Sequence, residues 1–118
     1  MFLNHIDLHV TDVQSTATFF ETFFGFALET SRTSPAIAVL RGDHDVQLVL
    51  QRHAAPVYPD GFHIGFLVDE VATVEATHRA LTEAGIEVGG IDVNARGTML
   101  YCRFDRLLVE VSCRRRRA

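Results

Sequence analysis

The sequence contains no lysine and no tryptophan, and only two cysteines and three prolines. Without lysine there is no Schiff-base chemistry and no anchor for pyridoxal phosphate. Cys102 and Cys113 lie in apolar, strand-like segments and do not form a Cys-x-x-Cys pair, so they read as unbridged, buried thiols. No apolar run approaches the roughly 18 residues needed to cross a bilayer, so no membrane span is expected. The opening Met1-Phe2-Leu3-Asn4-His5 lacks the basic, apolar and small-residue sections of a secretory signal, and the expected location is the cytoplasm. A length of 118 residues suits one ordinary domain with a core of its own.

Every one of the eleven cationic side chains is therefore an arginine, and four of them are Arg114 to Arg117. Net charge is −4, so the body ahead of that run is more acidic still. An acidic body argues against a nucleic-acid partner. The run itself, residues 114–118, is expected to be a solvated basic tail.

The chain resembles itself at about half its length. Asn4-His5-Ile6-Asp7-Leu8-His9-Val10-Thr11-Asp12-Val13 lies over Phe62-His63-Ile64-Gly65-Phe66-Leu67-Val68-Asp69-Glu70-Val71, with His5 on His63, Ile6 on Ile64, Val10 on Val68 and Val13 on Val71. Each stretch runs into a helical pattern. In the first half Asp12 caps, Val13, Ala17, Phe20 and Phe24 form the apolar stripe, and Gly25 stops the helix. In the second, Asp69 caps, Val71, Val74, His78 and Leu81 form the stripe, and Gly85 stops it. Three strand-like runs follow each helix: 27–32, 36–40 and 46–51, then 86–89, 98–102 and 107–113. The expected fold class is α+β, two βαβββ repeats forming a curved mixed-sheet cup. Residues 1–51 are the first module, 61–113 the second, and 52–60, with Pro56 and Pro59, the linker.

Strand alternation then sorts the polar residues. In the first strand Ile6, Leu8 and Val10 share the face that must pack on a helix, which puts His5, Asp7 and His9 on the other. The same parity sends His63 away from the second helix. In the closing strands Gln47 and Glu110 hold equivalent places on that outer face. Two imidazoles, a carboxylate and an amide oxygen suit one divalent ion, Zn, Fe, Mn, Co or Ni, with positions left open for water or substrate. A lone carboxylate in an apolar strand carries a desolvation cost that a cation relieves. The bland alternative is an ordinary hydrogen-bonded cluster. Tyr101 and Arg103 alternate with Leu100, Cys102 and Phe104 and are candidate substrate contacts. His44, His53 and His78 have no counterpart in the repeat.

With these residues in place, the sequence resembles the vicinal oxygen chelate superfamily of glyoxalases, extradiol dioxygenases, fosfomycin-resistance thiol transferases, methylmalonyl-CoA epimerases and bleomycin-resistance proteins. The carriers are Leu3-Asn4-His5-Ile6 with Val10-Thr11-Asp12-Val13, the helix end Phe23-Phe24-Gly25-Phe26, the strand Phe62-His63-Ile64-Gly65-Phe66, and Leu107-Leu108-Val109-Glu110-Val111. The resemblance implies metal ligands at His5, His63 and Glu110, with Gln47 where glyoxalases usually carry a glutamate and where the epimerases are similar in having glutamine. Retention of all four positions favours an enzyme over a drug-sequestering relative. Arg103-Phe104-Asp105-Arg106 replaces the usual Asp-Pro-Asp-Gly turn, and the chain is short, with little room for substrate-specific loops.

The implied function is that of a metal-dependent isomerase, epimerase or lyase acting on a small oxygenated metabolite. An extradiol dioxygenase or thiol transferase would use the same core ligands, and a metal-free binder of an aromatic or peptide-like drug is the non-catalytic alternative. Asp7 and His9 are the nearest candidates for a proton-transferring base. The expected partners are a small-molecule substrate and a second copy of the chain.

Overall fold

The computed structural model describes residues 1–115 and divides the chain into two compact units, Met1–Val57 and Tyr58–Ala118. The element order is β1 (His5–Val10), α1 (Val13–Phe24), β2 (Ala27–Leu28), β3 (Ile37–Arg41), a short 3-10 turn (Asp43–Asp45), β4 (Gln47–Arg52), β5 (Ile64–Leu67), α2 (Val71–Glu83), β6 (Glu87–Val88), β7 (Asp92–Asn94), β8 (Gly97–Phe104) and β9 (Leu107–Arg114). The protein is α+β, with two mixed sheets and two helices. Among the described residues no helix is long and apolar enough to cross a membrane.

In the first unit the strands lie in the order β1-β4-β3-β2, with β1 parallel to β4 and the other pairs antiparallel. The parallel pair needs a crossover, and α1 with the β2–β3 hairpin supplies it. Asp12 caps α1 as expected, its Oδ1 accepting from the Ser15 amide at 3.0 Å, and Gly25 ends the helix at φ 71°. The buried face of α1 carries Val13, Ala17, Phe19 and Phe20 and packs on β3 and β4, whose buried residues include Leu40, Leu48 and Leu50.

The second unit repeats the plan in the order β5-β9-β8-β6, again with one parallel pair, β5 with β9. Its core is Val74 and Leu81 of α2 with Leu100, Cys102, Leu107, Val109 and Val111. Several details differ from expectation. A fourth strand after the helix, β7, pairs with β8, so four strands follow α2 where three were expected. The segment is three residues long and follows Gly89-Gly90, too short to show a period of two. The first two residues of the expected tail are held on the sheet, because Arg114 closes β9 and the Arg115 amide bonds to the Arg96 carbonyl at 2.8 Å. Arg116 and Arg117 lie outside the described residues.

The third difference concerns the helix cap. Asp69 sits one residue too early, and Glu70 occupies the N-cap without a side-chain capping bond. Glutamate is one methylene too long for the short reach that Asp12 makes in the first unit. Glu70→Asp is expected to stabilise the protein by about 0.5–1 kcal/mol, read as a raised urea midpoint at unchanged slope.

The turn that departs from the family pattern is a two-residue hairpin loop. Phe104 pairs with Leu107, and Asp105 and Arg106 both take positive φ, 43° and 71°. Such turns match the strand twist but favour glycine at the second position. Arg106→Gly is expected to raise stability by about 1 kcal/mol by relieving the left-handed backbone, measurable in the same denaturation experiment.

The thiols are free. Cys102 is buried, and desolvation pushes its pKa up to about 11, so it should stay unmodified by thiol reagents at pH 8 in the folded protein. Cys113, expected to be buried, is only half-buried because it lies next to the strand end. The two are not opposite one another on β8 and β9: Cys102 faces Val109 and Cys113 faces Thr98.

Candidate functional site

In the first unit the polar face forms as the alternation requires. His5, Asp7 and His9 are exposed, while Leu8 and Val10 are buried and Ile6 half-buried. The parallel register puts His5 beside Gln47, Asp7 beside Val49 and His9 beside Gln51. His5 Nδ1 and Gln47 Oε1 are 2.7 Å apart. With the amide oxygen as acceptor, Nδ1 carries a proton, and in the neutral ring the Nε2 lone pair is left for another partner. Asp7 Oδ2 accepts from Gln51 Nε2 at 2.7 Å, and the His9 ring stacks on His53 at 5.1 Å with planes 7° apart. His53, given no role by the repeat, thus packs beside a candidate residue.

In the second unit His63 precedes β5, and its Nδ1 lies 2.9 Å from the Gly61 carbonyl oxygen. A carbonyl can only accept, so Nδ1 carries a proton, and in the neutral ring the lone pair is on Nε2. That atom stands 3.9 Å from Glu110 Oε2. Glu110 is 2% exposed, and both of its oxygens are engaged. The Tyr101 hydroxyl donates to Oε2 at 2.8 Å, and Arg114 Nη2 donates to Oε1 at 3.0 Å. Tyr101 and Gly65 flank Glu110 in the same cross-strand row, and the Tyr101 and His63 rings meet edge to face at 5.6 Å. Because residue 65 is glycine, no side chain projects from β5 beside the carboxylate. Ser112 Oγ, on the same face two residues on, is buried with no hydrogen-bond partner among the described residues.

The bond to Glu110 holds the Tyr101 hydroxyl above the usual phenol range, and burial and the carboxylate charge add to it, while Arg96 opposes the shift. A raised pKa in the folded state means that this bond stabilises fully below the ordinary phenol value of about 10 and is lost as pH rises through the folded value. Ultraviolet titration should show a late tyrosine step that Tyr101→Phe abolishes.

Arg103 pairs instead with Glu87, at 3.9 Å between two exposed side chains. Sequence reasoning missed Arg114, although the signal was present. Four residues along a strand is an even step, so Arg114 shares a face with Glu110. The run of four arginines concealed it.

The residues can be tested for a divalent ion within each unit. Two bonds of about 2.1 Å to one ion place their donor atoms up to about 4.2 Å apart. The 3.9 Å between His63 Nε2 and Glu110 Oε2 is too long for a hydrogen bond and within that limit. Both imidazoles hold Nδ1 against an oxygen and keep Nε2 as donor, the tautomer that metal-bound histidines commonly show. Among the described residues no group of three His, Cys, Asp or Glu side chains is gathered to hold a metal ion.

A repeat of two mixed sheets, each with one crossover helix and a histidine on the opposite face, defines a recognised class. The chain belongs to the Glyoxalase/Bleomycin resistance protein/Dioxygenase superfamily, whose family model matches residues 2–105. That match ends before Glu110, so the last site residue rests on the geometry of β9. Among solved structures, a possible glyoxalase from Bacillus cereus is 29% identical, with TM-score 0.86 over 96% of this chain and 99% of that one. The fosfomycin resistance protein FosX from Listeria monocytogenes shares the fold, at TM-score 0.80 and 20% identity over 96% of this chain and 93% of that one. A glutamate-to-glutamine variant of FosX, complexed with Mn(II) and 1S,2S-dihydroxypropylphosphonic acid, has TM-score 0.80 and 18% identity over 97% of this chain and 92% of that one. No curated protein matches the chain.

Proposed function

We propose that the protein is a metal-dependent enzyme, an isomerase, epimerase or lyase of small oxygenated metabolites, working in the cytoplasm as a homodimer. The residues proposed as metal ligands are His5 and Gln47 on the first unit and His63 and Glu110 on the second. The observation that carries this reading is the His63–Glu110 pair, in which a tautomer-fixed Nε2 faces a buried carboxylate at 3.9 Å. The Mn(II) held by a FosX variant supports divalent-metal use among proteins of this fold.

Gln47 acts through its hydrogen bond, which holds His5 with Nε2 turned outward, and through the second lone pair of its oxygen as a weaker fourth donor. Tyr101 fixes the Glu110 carboxylate and stays protonated at neutral pH, and with its one proton committed to Glu110 its oxygen is left to accept from a substrate donor. A bound divalent ion supplies Lewis-acid stabilisation of negative charge developing on a substrate oxygen. Proton transfer needs a separate base. Asp7 and His9 are the proposed groups, Asp7 held by Gln51 and His9 by its stacking on His53. Arg103 remains a proposed substrate contact at the edge of the same face of β8.

The test is proton exchange. Protein loaded with Mn, Co, Ni or Zn is incubated in deuterated water with a panel of 2-oxo and 2-hydroxy acids and hemithioacetals, and exchange or isomerisation is read by NMR. Turnover that requires the metal and is lost in a His5→Ala, Glu110→Ala variant supports the enzyme reading. Metal-independent tight binding of a planar drug with no turnover would replace it with sequestration.

A further inference from the structure

Glu110 has a counter-ion. Its side chain is only 3% exposed, and an ionised carboxylate there must be neutralised or bear a large desolvation cost. Arg114 supplies the charge at 3.0 Å from a side chain that is 42% exposed, so the guanidinium reaches in from solvent over the end of β9. The alignment follows from strand parity and from the Arg115 amide bond to the Arg96 carbonyl, which holds the residue after Arg114 against the start of β8.

Resting on the metal-site reading above, we propose that Arg114 is a resident cation that competes with the divalent ion for Glu110. It holds the carboxylate in place when no metal is bound and lowers the affinity of the site for metal. Glu110 is then ordered and compensated in both states, and metal remains exchangeable. The two oxygens allow this division: Oε1 faces Arg114, and Oε2 faces His63 Nε2 and the Tyr101 hydroxyl. A full positive charge on the same carboxylate disfavours a divalent ion by about tenfold or more in affinity, even with water-like screening. An Arg114 that merely oriented Glu110 would have the opposite sign, because removing an outer partner of a ligand weakens metal binding by about 10–100-fold.

The experiment titrates Mn(II) and Zn(II) calorimetrically into chelator-treated full-length protein, as wild type, Arg114→Gln and Arg114→Lys, and records thermal melting of each without metal. Arg114→Gln is expected to bind metal about tenfold or more tighter, to melt lower when metal-free, and to gain more melting temperature on loading. Arg114→Lys, which keeps the charge, should stay near wild type in affinity. If Arg114→Gln fails to fold, the Glu110→Gln, Arg114→Gln double variant should recover folding, because the uncompensated charge is gone. Failure of that recovery overturns the counter-ion role. Equal or weaker metal binding by a folded Arg114→Gln, beside a wild type that binds, overturns the competition and leaves the metal site standing. Absence of binding in both proteins overturns the two together.

Discussion

Truncating Phe20 to alanine should cost about 3–5 kcal/mol of stability. Its ring is fully buried and contacts Phe19, Phe24 and Phe26, with ring centroids 5.2, 5.8 and 5.8 Å away. These rings tie α1 to the start of the crossover, and α1 is the helix that packs on β3 and β4 within the first unit. The void left by the six missing ring carbons cannot be filled by neighbours that are already in contact. Urea denaturation checks the value. Hydrogen exchange should show the loss concentrated in α1, β3 and β4, and uniform protection across these elements in a variant of wild-type stability would contradict the packing account.

The second large effect is on metal binding. His63→Ala should weaken binding of Mn(II) or Zn(II) by more than about 100-fold, since it removes a donor atom outright. Gln47→Leu should fall in the range of about 10–100-fold expected for loss of an outer partner, because its chief contribution is the 2.7 Å bond to His5. Calorimetric titration of both variants checks the order. Gln47→Leu matching or exceeding His63→Ala would make Gln47 a principal ligand.

Much of this organisation was legible in the sequence. The repeat of Asn4-His5-Ile6 in Phe62-His63-Ile64, the Asp12 cap and the two glycine stops gave the plan of each half, since local chemistry determines helix ends. Parity gave the faces: His5, Asp7 and His9 emerged opposite Leu8 and Val10 because the strand period is two whatever the partner. Register was not legible. That His5 stands beside Gln47, or Tyr101 beside Glu110, depends on pairing set by crossovers and turns. The failures were short-range ambiguities. Glu70, not Asp69, holds the cap because the repeat aligns it with Asp12, and β7 carries too few residues to announce itself. Arg114 was hidden in a run of like charges, although an even step from Glu110 pointed to the same face.

Whether His63 and Glu110 belong to one ligand set is tested most directly by elemental analysis. The full chain would be purified without chelators or an affinity tag, beside the His5→Ala, Glu110→Ala variant. Near-stoichiometric Mn, Fe, Co, Ni or Zn per chain in the wild type, absent from the variant, is the expected result. Wild type and variant equally metal-free, even after each ion is added back, would contradict it.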